Sequence, residues 1–497
     1  MNKNYEEFVR QSKKLAALYS ATGVLGWDQE VYMPVNGAAL RAEQQSVLSG
    51  MAHEIRTDEK YISLIQSLLD DKTLSVEEKC NVKETWKGID RSRKFSKEFV
   101  ENLSKTISES FVAWHQARSE NRFEIFAPHL EKLVAIKKEE AAIVGYKHHP
   151  YDALIDEYEP GATVAQIDTL FADVKVQLVN FTRKIFALPK PNDHFFTGEF
   201  PHELQRDFCR QLVAEMGYDF NSGRMDLAPH PFCIGFYPND VRITYRYKTT
   251  DISEIIWSVT HEGGHALYEQ GMKMEYAGLP ASSAVSLAIH ESQSRLWENN
   301  VTRSKSYWHY YMPVLKKYFP KVFDHVTGDD FFRACNKVEP SLIRTNADEL
   351  TYHFHIMIRY EIEKKLMDGT LAVNDLPKFW NESYKNYLGI DVPSDAEGCL
   401  QDVHWSHGSI GYFPTYSLGS FYAAQFFDAA KRDMPTLTDD ISNGKLLGLR
   451  EWLKDNIHQH GMIFTADELC KRVTGESLNF SHFMNYAKEK YADIYPL

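Results

Sequence analysis

Apolar residues recur with a helical period along most of the chain. Thr163 and Gln166 form a capping-box pattern, and apolar side chains then return every three or four residues until Pro189. The segment from Tyr5 to Leu18 has the same period, and a further helix is predicted from Leu350 to Leu366, with Glu and Lys on its polar face. The pattern therefore predicts a mainly α protein.

One segment alternates instead of following the helical period. From Val241 to Lys248, apolar or aromatic residues alternate with polar ones, which is typical of a half-buried strand. Turn residues precede it at Pro238–Asp240, and Cys233–Tyr237 is the expected partner strand. We therefore predict a small β hairpin within a helical protein.

Proline and glycine are concentrated in connectors, and one of these lies near residue 190. The chain shows no internal repeat. The predicted organisation is a single unit, 1–497, with helical subdomains of about 1–190 and 191–497.

Composition narrows the function classes. Lys and Arg total 56 against 69 Asp and Glu, a net charge of −13, which disfavours a nucleic-acid-binding surface. No apolar stretch reaches the roughly 18 residues of a membrane-spanning helix, and the polar N-terminus does not resemble a signal peptide. Six scattered cysteines suggest reduced thiols. We expect a cytoplasmic protein without nucleic-acid or membrane partners.

The segment His261-Glu262-Gly263-Gly264-His265 carries the clearest chemistry. Two histidines four positions apart project from one helix face, about 40° apart, so both imidazoles can reach one metal ion. Glu262 is placed to act on a water molecule beside such an ion. The two glycines each cost helix stability, about 1 kcal/mol relative to Ala, so we expect them to allow close approach of a neighbouring element.

The helix that carries this motif has recognisable ends. Asp251 and Glu254 form a second capping-box pattern, and Gly271 is a suitable end.

A catalytic zinc site needs a third protein ligand. A second helix is predicted from Ala284 to Trp297, and Glu291 lies within it, 26 positions after His265. Two helices joined by a loop can bring this carboxylate back to the metal, so spacing favours Glu291. Three other glutamates compete with it: Glu269, Glu275 and Glu298.

At this point the sequence resembles the carboxypeptidase Taq family of metallocarboxypeptidases over nearly its whole length. Several blocks, in order, carry the resemblance: Trp27-Asp28-Gln29, Met33-Pro34, His230-Pro231-Phe232, Asp240/Arg242/Thr244, His261 to His265, His290-Glu291-Ser292-Gln293, Ile343/Arg344/Ala347/Asp348, and Gly398/Gln401/Asp402/His404/Trp405.

The resemblance implies a helical fold with a deep cleft between two helical halves, and usually a homodimer. It implies removal of single residues from the C-termini of short peptides, with broad side-chain tolerance and a divalent metal, zinc (Zn2+) or cobalt (Co2+). It assigns His261, His265 and Glu291 as metal ligands and Glu262 as general acid and base, in agreement with the residue-based interpretation.

Peptide hydrolysis also needs a donor for the developing oxyanion. Tyr412 and Tyr416 are the candidates, with Tyr416 preferred, and His404 and His407 just upstream could assist.

An exopeptidase must bind a free carboxylate, for which the planar fork of arginine is suited. Arg344 is the first choice and Arg242 the second, each set against the alternative of an ordinary surface ion pair. A strand edge could also hold the peptide backbone. His230 is either a substrate contact or a structural corner.

Metal-bound imidazoles usually donate their other nitrogen to an acceptor. Many related zinc peptidases place an Asp four residues after the third ligand, where this chain has Arg295. We therefore expect the acceptor elsewhere, with Asp240, Asp348 and Asp402 as candidates.

Two other functions compete with the metallocarboxypeptidase. One is an endo-acting or dipeptide-releasing oligopeptidase on a similar helical scaffold, which shares the histidines and the glutamate but needs no C-terminal anchor. The other is a non-catalytic peptide-binding protein, which the presence of Glu262 disfavours.

Overall fold

A computed structural model describes residues 2–497 and divides them into two compact units. Unit 1 contains the chain up to Asp90, Asn192–Cys335 and Tyr422–Leu478. Unit 2 contains Arg91–Pro191, Asn336–Phe421 and Asn479–Leu497. The prediction of a mainly helical protein with a small sheet is confirmed, and each unit is described separately below.

The helices, in chain order, are α1 (Lys3–Val31), α2 (Ala38–Thr57), α3 (Glu59–Leu68), α4 (Val76–Arg93), α5 (Lys97–Glu120), α6 (Phe123–Val144), α7 (Asp152–Tyr158), α8 (Val164–Phe186), α9 (His202–Met216), α10 (Ser253–Gly271), α11 (Leu287–Arg295), α12 (Lys305–Tyr318), α13 (Pro320–Phe323), α14 (Gly328–Cys335), α15 (Tyr352–Asp368), α16 (Leu376–Leu388), α17 (Pro414–Asp433), α18 (Leu437–Ser442), α19 (Leu447–Asn456), α20 (Ala466–Thr474) and α21 (Phe480–Ala492). The strands are β1 (Gly223–Leu227), β2 (Cys233–Tyr237) and β3 (Asp240–Tyr245).

The three strands form one sheet in unit 1, in the order β1-β3-β2. Strands β2 and β3 pair antiparallel, which confirms the predicted hairpin, although β3 ends at Tyr245 and not at Lys248. Strand β1 pairs parallel with β3 and was not predicted. Its sequence is short and charged, and the Arg224 guanidinium binds the Asp226 carboxylate two residues along the same strand, with 2.6 Å from Nε to Oδ2.

Helix α10 is central to unit 1. Its apolar side chains Ile255, Ile256 and Val259 are fully buried. The predicted capping box at its start does not form: the helix begins at Ser253, and the Asp251 carboxylate accepts bonds from the Ser253 amide and hydroxyl at 2.8 and 2.7 Å.

In unit 2 the predicted capping box of α8 does form. The Thr163 hydroxyl accepts from the Gln166 amide, and the Gln166 side chain accepts from the Thr163 amide. The predicted helix near residue 350 is α15. Its Glu363, which was expected on a polar face, is fully buried because α15 is enclosed on nearly all sides.

All six cysteines are free thiols, and five of them are buried. Between residues 2 and 497, none of the helices has both the length and the apolar character needed to cross a membrane.

Candidate active site

The two histidines of the predicted motif project from α10, and the glycines between them set how closely other helices approach. A Cβ atom on Gly264 would lie 2.6 Å from the Gln293 carbonyl oxygen and 2.7 Å from the Ser294 Cα of α11. The predicted close approach of a neighbouring element is therefore confirmed at Gly264. Gly263 faces side chains of α9 instead, with a Cβ position 3.1 Å from Val213.

The second predicted helix is α11, shorter than the expected Ala284–Trp297. The Ser286 hydroxyl caps it by accepting from the Ile289 amide at 3.1 Å. After Arg295 the backbone continues as a π-helical segment, Leu296–Thr302. Such segments are rare and often mark functional sites, because they change which side chains share a face.

His261, His265 and Glu291 lie together as a group that could hold a metal ion, with one ligand atom from each within 4.8 Å of the others. Oε2 of Glu291 lies 3.6 Å from Nε2 of His261 and 3.4 Å from Nε2 of His265. Two imidazole nitrogens and a carboxylate oxygen form the donor set of many catalytic zinc sites, which leave a further position for water or substrate. Glu262 is buried on the same helix.

The Nδ1 atoms of both imidazoles have acceptors. Nδ1 of His261 lies 2.9 Å from Oε2 of Glu298, and Nδ1 of His265 lies 3.1 Å from the carbonyl oxygen of His290. These acceptors favour protonation at Nδ1, which leaves each Nε2 lone pair for a metal. The residues present therefore fit a divalent metal.

The carboxylate beside His261 is thus Glu298, and the expectation of Asp240, Asp348 or Asp402 was wrong. Asp240 binds Arg242, Asp348 accepts from Thr351, and Asp402 binds arginines of unit 2. Glu298 follows Glu291 by seven residues, and this spacing could have indicated Glu298 as the acceptor for His261.

Burial and neighbouring charges shift the pKa values of this group in different directions. Burial raises the pKa of Glu262 to about 7, despite the opposing effect of His261. Burial lowers the pKa of His265 to about 3. Burial opposes ionisation of Glu291, but the charges of Arg295 and His261 outweigh it and hold the Glu291 pKa well below its usual range. At neutral pH Glu291 is therefore an anion and His265 is neutral, as metal ligation requires.

The competing glutamates occupy other places. Glu269 binds Nε2 of His290 at 2.9 Å. Glu275 lies in a short 3-10 turn, Met274–Tyr276. The His290 ring in turn stacks on His265, with ring centroids 4.4 Å apart.

Arg242 and His230 lie in unit 1. The Arg242 fork binds Asp240 through two nitrogens, at 2.8 and 2.9 Å, and its guanidinium lies 4.3 Å from the Trp27 ring centroid. His230 is exposed, and its carbonyl oxygen lies 3.4 Å from the Thr244 hydroxyl.

Arg344 lies in unit 2 and is buried in an ion network. Its Nε and Nη2 atoms bind Oδ1 of Asp402 at 3.0 and 2.9 Å, and its Nη1 atom donates to the Tyr352 hydroxyl at 3.1 Å. Arg359 binds the other oxygen of the same carboxylate, with 2.7 Å from Nε to Oδ2. Sequence analysis missed Arg359, because an arginine within an apolar helix gives no sign of its partner 43 residues away.

The predicted oxyanion donors also lie in unit 2. The Tyr416 hydroxyl lies 3.3 Å from Nε2 of His404, and the Arg344 guanidinium carbon lies 5.0 Å from the Tyr416 ring centroid. The Tyr412 ring is 5.2 Å from that of Tyr416. Burial lowers the pKa of His404 to about 4, so its imidazole is neutral at neutral pH.

Comparison with known proteins agrees with this geometry. Residues 7–491 match the family described as Carboxypeptidase Taq (M32) metallopeptidase. The chain is 38% identical to Carboxypeptidase 1 of Bacillus subtilis and 37% identical to Thermostable carboxypeptidase 1 of Thermus thermophilus, with 99% of each chain covered in both cases. The crystal structure of an M32 carboxypeptidase from Deinococcus radiodurans R1 superposes with a TM-score of 0.98 at 37% identity over 100% of both chains. The chain therefore belongs to the carboxypeptidase Taq family of metallopeptidases and is a metallocarboxypeptidase.

Proposed function

We propose that this enzyme removes single residues from the C-termini of short peptides, with broad side-chain tolerance, and that zinc is its metal. One observation supports the proposal above all: His261, His265 and Glu291 present converging ligand atoms beside Glu262, in a chain of a metallocarboxypeptidase family. A divalent metal bound there supplies Lewis-acid chemistry, polarising a carbonyl and lowering the pKa of water. Cobalt is a suitable substitute.

Glu262 is the proposed general base and acid. A group with a pKa of about 7 can both accept and return a proton near neutral pH. Glu262 takes the proton from the attacking water and delivers it to the nitrogen of the leaving amino acid. Its burial keeps competing bulk water away from the transferred proton.

Arg344 is the proposed anchor for the substrate's free carboxylate, with Arg242 and His230 as further candidate contacts. Two buried guanidiniums, Arg344 and Arg359, share a single carboxylate, so their network keeps an excess positive charge. An anionic group suits such a network.

Tyr416 is the proposed donor to the oxyanion, and Tyr412 is the alternative. The neutral His404 imidazole beside Tyr416 would hold its hydroxyl in place. A homodimer and a cytoplasmic location are further parts of the proposal, and they rest on the family resemblance and the sequence pattern.

A mass-spectrometric time course would test the activity. A short peptide with a free C-terminus and its amidated form are incubated in parallel with enzyme that has been stripped of metal and reloaded with zinc or cobalt. We expect stepwise loss of single C-terminal residues from the free acid only, and no activity after chelation until metal is restored. Glu262→Gln should lower the rate by about 10²–10⁴-fold, the usual contribution of general acid–base catalysis.

The alternatives give different products. Internal cuts in both peptides would indicate an oligopeptidase and would remove the role of Arg344 as an anchor. Absence of metal-dependent cleavage across a range of peptide lengths would contradict the proposed activity.

A further inference from the structure

The Arg295 side chain lies between two buried carboxylates of unit 1. Its Nε atom is 2.7 Å from Oε1 of Glu291, and its Nη1 atom is 3.1 Å from Oε2 of Glu298. Only 16% of the Arg295 side chain and 9% of each glutamate side chain is exposed. The two ion pairs are therefore shielded from water and geometrically defined, unlike surface pairs.

The two oxygens of Glu291 have different environments. Oε1 faces Arg295, whereas Oε2 faces the Nε2 atoms of His261 and His265 and accepts from the Ser294 hydroxyl at 3.0 Å. A charge-assisted hydrogen bond to Oε1 competes with a second metal bond at that oxygen. This contact favours ligation through Oε2 alone.

The same guanidinium reaches a second proposed ligand indirectly. Oε2 of Glu298 accepts from Arg295 and also lies 2.9 Å from Nδ1 of His261. Arg295 thus orients the carboxylate that orients the His261 ring. Such outer contacts fix the tautomer and direction of a ligand imidazole.

The helix geometry makes this double contact possible. Arg295 is the last residue of α11, one turn after Glu291, and the π-helical segment that follows carries Glu298. Arg303 binds the other oxygen of Glu298 at 3.1 Å and stacks on Trp257, 4.0 Å from its ring centroid. Arg303 binds Oε1 of Glu298, whereas Arg295 binds Oε1 of Glu291 and Oε2 of Glu298, so Arg303 provides a matched control for Arg295.

We propose that Arg295 is a positioning residue that restricts Glu291 to one ligand oxygen and, through Glu298, fixes the direction of His261. With a metal bound, Arg295 would thereby limit the number of protein ligand atoms and leave positions for water and substrate. This proposal rests on the assignment of His261, His265 and Glu291 as metal ligands in the proposed function.

The visible spectrum of the cobalt-substituted enzyme tests this role without measuring activity, because the d–d absorption of Co2+ weakens as the number of ligands rises. We expect Arg295→Met to bind one cobalt per chain with absorption reduced severalfold, since Oε1 of Glu291 becomes free to join the metal. Arg303→Met should keep the wild-type spectrum, because Arg295 still occupies that oxygen.

Arg295→Lys provides a second variant in case the methionine variant folds poorly. Lysine keeps the charge but lacks the fork that reaches both carboxylates, so we expect reduced absorption for this variant, as for Arg295→Met. Circular dichroism and thermal unfolding would confirm that each variant is folded.

The possible failures can be distinguished. Wild-type and folded Arg295 variants with the same spectrum, at one cobalt per chain, would overturn the role of Arg295 and leave the metal site intact. If wild type does not bind one cobalt, or if His265→Ala binds it equally well, both the metal-site assignment and the role of Arg295 are overturned.

Discussion

Each unit contains a buried ion network, and the two networks have opposite compositions. In unit 1 one guanidinium, that of Arg295, lies between the carboxylates of Glu291 and Glu298. In unit 2 one carboxylate, that of Asp402, lies between the guanidiniums of Arg344 and Arg359. In both units one charged group lies between two groups of opposite charge, and the signs are exchanged between the units.

The surplus charge of each network indicates what it can do. Arg303 adds a second guanidinium beside Glu298, so the unit 1 network has two charges of each sign and is balanced. Paired in this way, the guanidiniums can hold the two carboxylates that ligate the proposed metal or orient its ligands. In the unit 2 network two guanidiniums share one carboxylate, so these ion pairs carry a surplus positive charge that suits the proposed anchoring of an anionic group. The comparison is consistent with the two proposals, a positioning role for Arg295 in unit 1 and a carboxylate anchor at Arg344 in unit 2.

Asp402→Asn should produce the largest loss of stability, because it removes the negative charge that lies between two buried guanidiniums. Breaking a buried pair in this way costs about 3–5 kcal/mol. Urea unfolding, monitored by circular dichroism, should show a clear fall in the midpoint.

Asp391→Asn is the matched control in the same unit. Asp391 pairs with Lys385 at 2.8 Å, but 86% of its side chain is exposed, so we expect a loss of about 0–1 kcal/mol. Equal losses in the two variants would mean that the Asp402 network does not depend on charge, and the comparison between units would fail.

In unit 2 the buried Glu363 should make the stability of the protein depend on pH. Burial raises the pKa of Glu363 to about 7, even though the carboxylate accepts from the Trp405 indole at 2.8 Å, from the Gly411 amide at 2.9 Å and from Tyr151. Between the ordinary glutamate pKa of 4.5 and about 7, the folded state therefore binds more protons than the unfolded state. This raised pKa makes the free energy of unfolding fall as pH rises through that window, by on the order of 3 kcal/mol in total.

Glu363→Gln tests this contribution, because glutamine does not titrate. We expect the variant to lose less stability than wild type between pH 5 and 7. Unfolding midpoints at several pH values, for the metal-free proteins, give the slope. An unaltered slope would show that Glu363 does not titrate in this range.

The sequence predicted the parts of the molecule that depend on local spacing. His261 and His265 share a helix face because they are four residues apart, and Glu291 lies on the next helix at a distance that a simple loop can span. The capping box of Thr163 and the hairpin of β2 and β3 also follow from neighbouring residues. In each case the interacting groups are close in the sequence, so few alternative partners exist.

Other features depend on distant partners and could not be predicted in this way. Arg359 meets Asp402 across 43 residues, and Glu298 meets His261 across 37. Glu363 was assigned to a polar face because charge normally indicates exposure, but the helices around α15 enclose it. Charge was the least reliable indicator of exposure, since the burial of a charged residue depends on partners that only the folded chain supplies.

A pair of glycine substitutions tests how the unit 1 network is positioned, with a smaller expected loss of stability than Asp402→Asn. A Cβ on Gly264 would lie 2.6 and 2.7 Å from backbone atoms of α11, which cannot rotate away. Gly264→Ala should therefore displace α11, and Glu291 with it, at a cost of about 1–3 kcal/mol. A misplaced ligand should lower kcat/KM by about 10²-fold, because displacements near 1 Å have effects of that size.

Gly263→Ala is the control. Its Cβ would meet side-chain atoms of Val213 and Met216 at 3.1 and 3.3 Å, and these side chains can shift slightly. Alanine also favours the helix by up to about 1 kcal/mol. We expect Gly263→Ala to keep stability and metal binding close to wild type. If both variants kept full activity, the close contact of α10 and α11 would not be what holds Glu291 and the Arg295 network in register.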